Sequence, residues 1–293
     1  MADRELYFAD EKALRRWKIK TILGKTGIYA FLTIVAIFII IPFYWMIVTS
    51  LKTDAELEQA VVTFFPHKIA WENYSLIFRE VANFGRYFLN TIVVSFFTTA
   101  LVVVTAVLSA FAFAKLKFKG KDTIFMLLLI TMMIPGEMMV ITNYMTISVL
   151  NWTETFAALI LPFGVSVFYI YYLRQTFMSI PNELYLAAKV DGVSDFKFLR
   201  KVLIPIAMPA IVTIIILQSM SAWNAYIWPQ LVANAGPLRL VSNGLMSALT
   251  DEFSQQVNMQ LTASTIVTAP LFIFFVCFRK YIMRGVSRSG IKG

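Results

Sequence analysis

Very few residues of this chain have types and spacing that could carry out chemistry. The sequence contains one histidine, His67, and one cysteine, Cys277, so it predicts neither a metal site built on these residues nor an intrachain disulfide. Gly24-Lys25-Thr26 is a fragment of a phosphate-binding loop, but Ile19 stands where that loop needs its first glycine. The Gly-x-Ser-x-Gly motif of serine hydrolases does not occur. We therefore expect no catalytic residues, no metal and no cofactor in this chain.

The long charged stretch in the second half of the chain covers residues 181–209. Pro181 is typical of the first turn of a helix, and Gly192 is typical of the left-handed residue that ends one. Between them, Ala187 and Ala188 lie on the same face as Leu184. The predicted helix has about ten residues and a length of about 15 Å, roughly half of what a membrane crossing needs. We expect a short helix outside the membrane that presents small side chains to another molecule.

The composition predicts an all-α polytopic membrane protein. Of 293 residues, 59% are hydrophobic and 15% are charged, and the mean hydropathy is +0.71, which a soluble domain could not bury. Six apolar runs are each long enough to cross a membrane. They lie near residues 27–50, 88–114, 123–148, 156–178, 203–232 and 262–283. A second short helix is expected to begin at Asp195, and Pro205 and Pro209 lead into the fifth run.

The positions of the Lys and Arg residues predict the orientation. An even number of spans places both termini on one side, and 21 of the 26 Lys and Arg residues fall on that side. Because cytoplasmic loops carry the excess of positive charge, the termini and residues 181–209 are expected in the cytosol. This distribution explains the net charge of +9 without a nucleic-acid partner.

Residues 186–205 resemble the cytoplasmic loop of permeases in binding-protein-dependent ABC importers. The family signature is Glu-Ala-Ala, three residues, Gly, nine residues, then Ile-x-Leu-Pro. The matching positions are Leu186, Ala187, Ala188, Gly192, Val202, Ile204 and Pro205, with Asp191 before the glycine. The spacing is kept, but Leu186 stands where the family has Glu. One expected salt bridge to a partner is therefore in question.

The resemblance implies the type I importer permease fold and a coupling helix that docks in a cytosolic ATPase. It assigns this coupling to Glu183, Leu186, Ala187, Ala188, Asp191, Gly192 and Pro205. The implied partners are a second permease subunit, a cytosolic ATPase dimer that holds ATP and magnesium, an extracellular substrate-binding lipoprotein and membrane lipid. The implied location is the bacterial inner membrane, with both termini cytoplasmic.

The resemblance also implies a division of the chain. Residues 1–26 form a cytosolic tail, residues 27–283 the six-helix permease domain and residues 284–293 a second cytosolic tail. Residues 179–202 are the coupling loop. Residues 233–261 form an outer loop in which Asn234, Gly236 and Pro237 are candidate contacts to the binding protein, although an ordinary turn would use the same residue types.

Five residues are candidates for a translocation path. Glu137 follows Pro135-Gly136, which can break a membrane helix; it either faces a path or interface, or lies close enough to the surface to be solvated. Asn143 lies one and a half turns further on. Trp223, Asn224 and Tyr226 belong to a stretch that resembles carbohydrate-type permeases, although Trp and Tyr also favour the membrane interface.

The predicted function is import of a sugar or oligosaccharide, with ATP hydrolysis in a separate subunit. The nearest alternative is the same machinery carrying glycerol 3-phosphate or another polyol. An ion-coupled secondary transporter is less favoured, because the spans contain almost no ionisable residues apart from Glu137 and Arg174. A membrane enzyme would need a reactive group of residues that the sequence lacks.

Overall fold

The structure, a computed structural model, describes residues 11–59, 61–80, 83–234, 236–251 and 256–289. The remaining parts of the two predicted tails, and five residues of the predicted outer loop, lie outside the described residues. Every regular element in these ranges is helical. The α-helices are α1 Glu11–Ser50, α2 Asp54–Leu57, α3 Glu72–Glu80, α4 Phe84–Lys115, α5 Lys121–Thr131, α6 Val140–Val149, α7 Phe156–Ile160, α8 Val167–Met178, α9 Asn182–Val190, α10 Asp195–Phe198, α11 Ile204–Trp223, α12 Ile227–Val232, α13 Val241–Asp251 and α14 Val257–Ser289.

The six predicted spans are confirmed as four long helices and two bent pairs. The long helices contain Arg15–Ser50, Phe84–Lys115, Asp195–Trp223 and Val257–Lys280. In the third span, α5 joins a 3₁₀ turn (Gly136–Met139) and α6 through a bend of 84°, where Pro135 removes a backbone donor. In the fourth span, α7 and the 3₁₀ turn that follows it (Leu161–Phe163) are bent by 43° relative to α8. The sequence therefore located the break of the third span at Pro135-Gly136 but did not predict its angle.

The fifth run is continuous with the short helix before it and ends earlier than predicted. A π-helical segment, Leu199–Leu203, joins α10 directly to α11, so no break precedes Pro205. Pro205 lies in the first turn of α11, directly after the wider π-helical turn. At the other end α11 stops at Trp223, and the remainder forms the separate helix α12.

By its internal contacts the chain divides into two units, of which the first comprises residues 1–73 and 256–265. Its centre is the turn after α1. The Ser50 carbonyl accepts hydrogen bonds from Asn73 Nδ2 at 2.9 Å and from Thr262 Oγ1 at 3.1 Å. The Lys52 ammonium, which is buried, donates to the Thr63 carbonyl. These bonds fix the start of the segment that follows α1.

Glu56, which is also buried, makes further hydrogen bonds within the segment that follows α1. Its carboxylate accepts from Thr63 Oγ1 at 2.6 Å and from the His67 backbone N–H at 3.1 Å. Burial alone would raise the pKa of Glu56, but these hydrogen bonds and the charges of His67 and Lys52 hold that pKa below its ordinary value.

The second unit comprises residues 74–255 and 266–293, and α4 is its central helix. One face of α4 packs along α8 and another along α11. Ala106 and Ala110 of α4 are fully buried, as expected where helices approach closely in a membrane. Gly164 allows a similar approach, since a Cβ at that position would overlap the Leu101 side chain. The Gly164 carbonyl also accepts a hydrogen bond from Thr105 Oγ1 at 2.8 Å, which connects the fourth span to α4.

Candidate functional site

The predicted coupling helix is α9, and its C-terminus is closed by a Schellman motif. The Gly192 N–H donates to the Lys189 carbonyl at 3.1 Å, and the Val193 N–H donates to the Ala188 carbonyl at 2.9 Å. Gly192 has a φ of +70°, which confirms the predicted left-handed residue. The helix therefore has a sharply defined end, after which the chain turns into α10.

Tyr185 and Asp195 hold α9 against the start of the fifth span. The Tyr185 hydroxyl donates to Asp195 Oδ1 at 2.7 Å, and the same oxygen lies 2.7 Å from Lys189 Nζ. The Tyr185 ring packs edge-on against Phe198, with 5.1 Å between ring centroids. Burial raises the pKa of Tyr185, and its hydrogen bond to Asp195 raises that pKa further. Lys189 makes its own hydrogen bond to Asp195, which raises the pKa of Lys189. A movement of α9 must therefore act directly on the helix that begins at Asp195.

Lys115 provides a second connection that the sequence did not reveal. It is the last residue of α4, is buried, and its Nζ donates to the Ile180 carbonyl at 2.9 Å, two residues before α9. In the sequence it counted only as one of the positive charges that predict orientation. The loop that carries α9 is thus fixed at its entrance by α4 and at its exit by α10, the start of the fifth span.

The exposed surface of α9 is more apolar than predicted. Ala187 is exposed, but Ala188 is half-buried against the core of its own unit. Leu184, Leu186 and Val190 are exposed instead, Val190 to 88%. Glu183 and Asp191 are also exposed, whereas Pro205 lies beyond the π-helical segment. Exposed aliphatic side chains beside acidic ones are typical of a surface that another protein covers.

The candidate binding-protein loop is tied to the start of α4. Asn90 Nδ2 donates to the carbonyls of Pro237, at 2.8 Å, and Arg239, at 3.0 Å. Arg239 Nε in turn donates to the Asn234 carbonyl at 2.7 Å. Gly236 has a φ of +66° and begins a 3₁₀ turn. Asn90, near the start of the second apolar run, thus holds Pro237 directly and Asn234 through Arg239.

The five candidate path residues do not form one buried polar cluster. Trp223 is buried; its Nε1 donates to the Val267 carbonyl at 3.3 Å, and its ring packs against Phe88. Asn224 and Tyr226 follow it and are exposed, and Asn224 Nδ2 donates to Met220 of its own helix.

The other two candidates lie in the third span. Glu137 is exposed in the 3₁₀ turn at the 84° break, and Asn143 is exposed on α6. Their assignment to a path remains a prediction.

Comparison with known proteins gives one family and one fold. Residues 102–288 match the family described as binding-protein-dependent transport system inner membrane component. The arabinooligosaccharides transport system permease protein AraQ of Bacillus subtilis (strain 168) is 29% identical over 265 residues, which cover 90% of this chain and 94% of that protein. The sn-glycerol-3-phosphate transport system permease protein UgpE of Yersinia pestis bv. Antiqua (strain Antiqua) is 27% identical over 264 residues, covering 88% and 94%.

A chain in the crystal structure of a bacterial ABC transporter involved in the import of the acidic polysaccharide alginate superposes with a TM-score of 0.78. The alignment covers 94% of this chain and 99% of that one, at 23% sequence identity. At this identity the likeness shows the fold, which is the type I importer permease fold that the sequence predicted.

Proposed function

The chain belongs to the family of binding-protein-dependent transport system inner membrane components, and we propose that it is the permease of an ATP-driven importer for a sugar or oligosaccharide. A member of this family is a membrane transport subunit and not itself an enzyme. ATP and magnesium would bind to a separate cytosolic ATPase dimer. A second permease subunit would complete the path, and an extracellular lipoprotein would deliver the cargo.

One observation carries the coupling role: α9 is exposed on one side and bonded to two spans on the other. Its exposed side chains Leu184, Leu186 and Val190 provide an apolar contact for the ATPase. Its inner side reaches α10, the start of the fifth span, through Tyr185 and Asp195. Lys115 of α4 donates to the Ile180 carbonyl, which precedes α9. When ATP closes the ATPase dimer, α9 would therefore move together with α4 and α11. This would open the path toward a loaded binding protein.

The excess of Lys and Arg on the side of the termini supports a cytosolic position for α9. In this orientation Asn234, Gly236 and Pro237 lie outside. There, the hydrogen bonds from Asn90 would hold them ready for the binding protein. The membrane would be the bacterial inner membrane, with both termini in the cytoplasm.

The relatives support a small hydroxyl-rich cargo of one of two kinds. AraQ is named for arabinooligosaccharides and UgpE for sn-glycerol 3-phosphate, at nearly equal identity. A phosphate would require a Lys or Arg that faces the path, and the middle of the apolar runs contains none. We therefore propose a neutral sugar first and a glycerol phosphate second.

The test is purification of the tagged chain from its own membranes in a mild detergent, followed by identification of its partners. The co-purified complex is then reconstituted in liposomes and supplied with radiolabelled arabinotriose or sn-glycerol 3-phosphate. ATP-dependent accumulation of arabinotriose supports the first proposal, and accumulation of the phosphate supports the second. A chain that purifies alone and transports without ATP would contradict both and favour an ion-coupled transporter.

A further inference from the structure

The second unit contains a cavity of about 100 Å³ that none of the predicted site residues explains. It lies between α4, α7, α11 and α12. A single water needs a far smaller space, so the cavity can hold a larger group. Among the described residues that line it, none is ionisable. This lining excludes a charged ligand group, since a buried charge would have no partner there.

Thr98 of α4 gives the cavity an unusual polar group. The residue is 2% exposed, and its hydroxyl has no hydrogen-bond partner among the described residues. Two nearby threonines of α4 do have partners. Thr91, two turns earlier, donates to the Tyr87 carbonyl at 2.8 Å, and Thr99 Oγ1 lies 3.2 Å from Ser219 Oγ. An unpaired buried hydroxyl costs stability, and the cost is recovered only when something in the cavity bonds to it.

The remaining walls combine amide, hydroxyl and aromatic groups. Gln218 and Ser221 of α11 line the cavity together with Thr98. Trp228 and Phe163 form apolar walls and meet edge-on, with 5.6 Å between ring centroids. The Trp228 indole is fixed in place because its Nε1 donates to the Ala158 carbonyl at 2.8 Å. Hydroxyl and amide groups beside aromatic rings suit the hydroxyls and the C–H faces of a sugar.

We infer that this cavity binds a neutral hydroxyl-bearing group, one ring or one end of a sugar or polyol, through Thr98, Gln218 and Ser221. The inference rests on the proposed function in taking this ligand to be part of the cargo. It assigns direct cargo contact to this subunit, at residues distinct from the five candidate path residues. Thr98 is the contact to test first, because it lines the cavity and its hydroxyl has no partner among the described residues.

The experiment measures protection of the cavity in the complete purified transporter. Cys277→Ser removes the native thiol, and Ser221→Cys places a new one at the exposed edge of the cavity. The rate of N-ethylmaleimide modification at position 221 is followed by mass spectrometry of this chain. The probes are arabinobiose, maltose, glycerol and, for comparison, sn-glycerol 3-phosphate. At least one neutral probe is expected to slow the modification.

Two variants in this background test the role of Thr98. Thr98→Val keeps the shape and removes an unpaired hydroxyl, so the fold should be retained. It should raise the probe concentration needed for half-protection about fivefold, the effect of one neutral hydrogen bond. Thr98→Ser should restore the parent value. Ser95→Ala is the matched control, because Ser95 is also buried and unpaired on α4 but faces a different cavity.

Three results would overturn the inference. No neutral probe slows modification at position 221, or Thr98→Val needs the same probe concentration for half-protection as its parent, or sn-glycerol 3-phosphate protects best. The first would mean a cavity filled by water alone. The uptake assay keeps the two proposals apart. ATP-driven sugar uptake without protection removes only the cavity inference. Protection by a neutral probe without ATP-driven uptake removes only the proposed importer.

Discussion

Replacement of Gly192 tests whether a rigid end of α9 couples ATP hydrolysis to transport. The φ of +70° costs most residues with a Cβ about 1–2 kcal/mol, with Asn an exception, and valine should lie at the upper end or beyond. A Cβ at Gly192 would have no atom within 4 Å, so the whole cost is in the backbone and none in side-chain overlap. About 1.4 kcal/mol corresponds to a tenfold change in an equilibrium. Gly192→Ala and Gly192→Val should thus increase opening of the helix end by about 5-fold and 30-fold.

The assay combines two measurements on the reconstituted transporter. Hydrogen exchange of residues 187–193 should accelerate by these factors, and the ATP consumed per cargo molecule imported should rise in the same order. Gly192→Asn should remain close to the parent, since Asn tolerates the left-handed region. Gly85→Ala is the control, because Gly85 also has no atom near its Cβ but lies in helical backbone with negative φ. Unchanged exchange and unchanged coupling in Gly192→Val would refute the argument.

Three further changes test the contacts of α9 and of the segment that follows α1. Leu186→Glu should leave the fold intact, because Leu186 is 54% exposed, and pull-down of the ATPase should be equal or stronger; loss of expression would mean that Leu186 is buried in the assembly. Tyr185→Phe should lose the bond to Asp195, about 1 kcal/mol, and hydrogen exchange of α9 should rise severalfold while its ring packing persists. The pKa of Glu56 in the folded protein lies below its ordinary value of 4.5. The ionised carboxylate therefore stabilises the fold fully above pH 4.5, and this stabilisation is lost as the pH falls through the lower pKa of the folded protein. Limited proteolysis of residues 51–73 should therefore be constant from pH 5 to 8 and increase in stronger acid, and Glu56→Gln should remove that acid dependence.

Several features of the molecule follow from local rules that a sequence expresses directly. Apolar runs long enough for a bilayer predict spans, and the Gly192 turn follows from the one residue type that adopts positive φ without strain. The spacing from Leu186 to Pro205 was sufficient to indicate the family. The same rules predict that the third span can break at Pro135-Gly136, but they do not predict the bend of 84°. That angle depends on how α6 packs against other elements, which no local pattern contains.

The sequence by itself determined the class of protein, the number of spans, the family and the position of α9. Only the tertiary structure decided that Lys115 bonds to the coupling loop and that Asn90 bonds to the outer loop. It also decided that the Thr98 hydroxyl, beside a cavity, has no partner among the described residues. The physical reason is the range of the interactions. Helix ends and spans depend on residues a few positions apart, whereas these three side chains meet, or fail to meet, partners that are distant in the chain. Their roles therefore become defined only once the helices have packed.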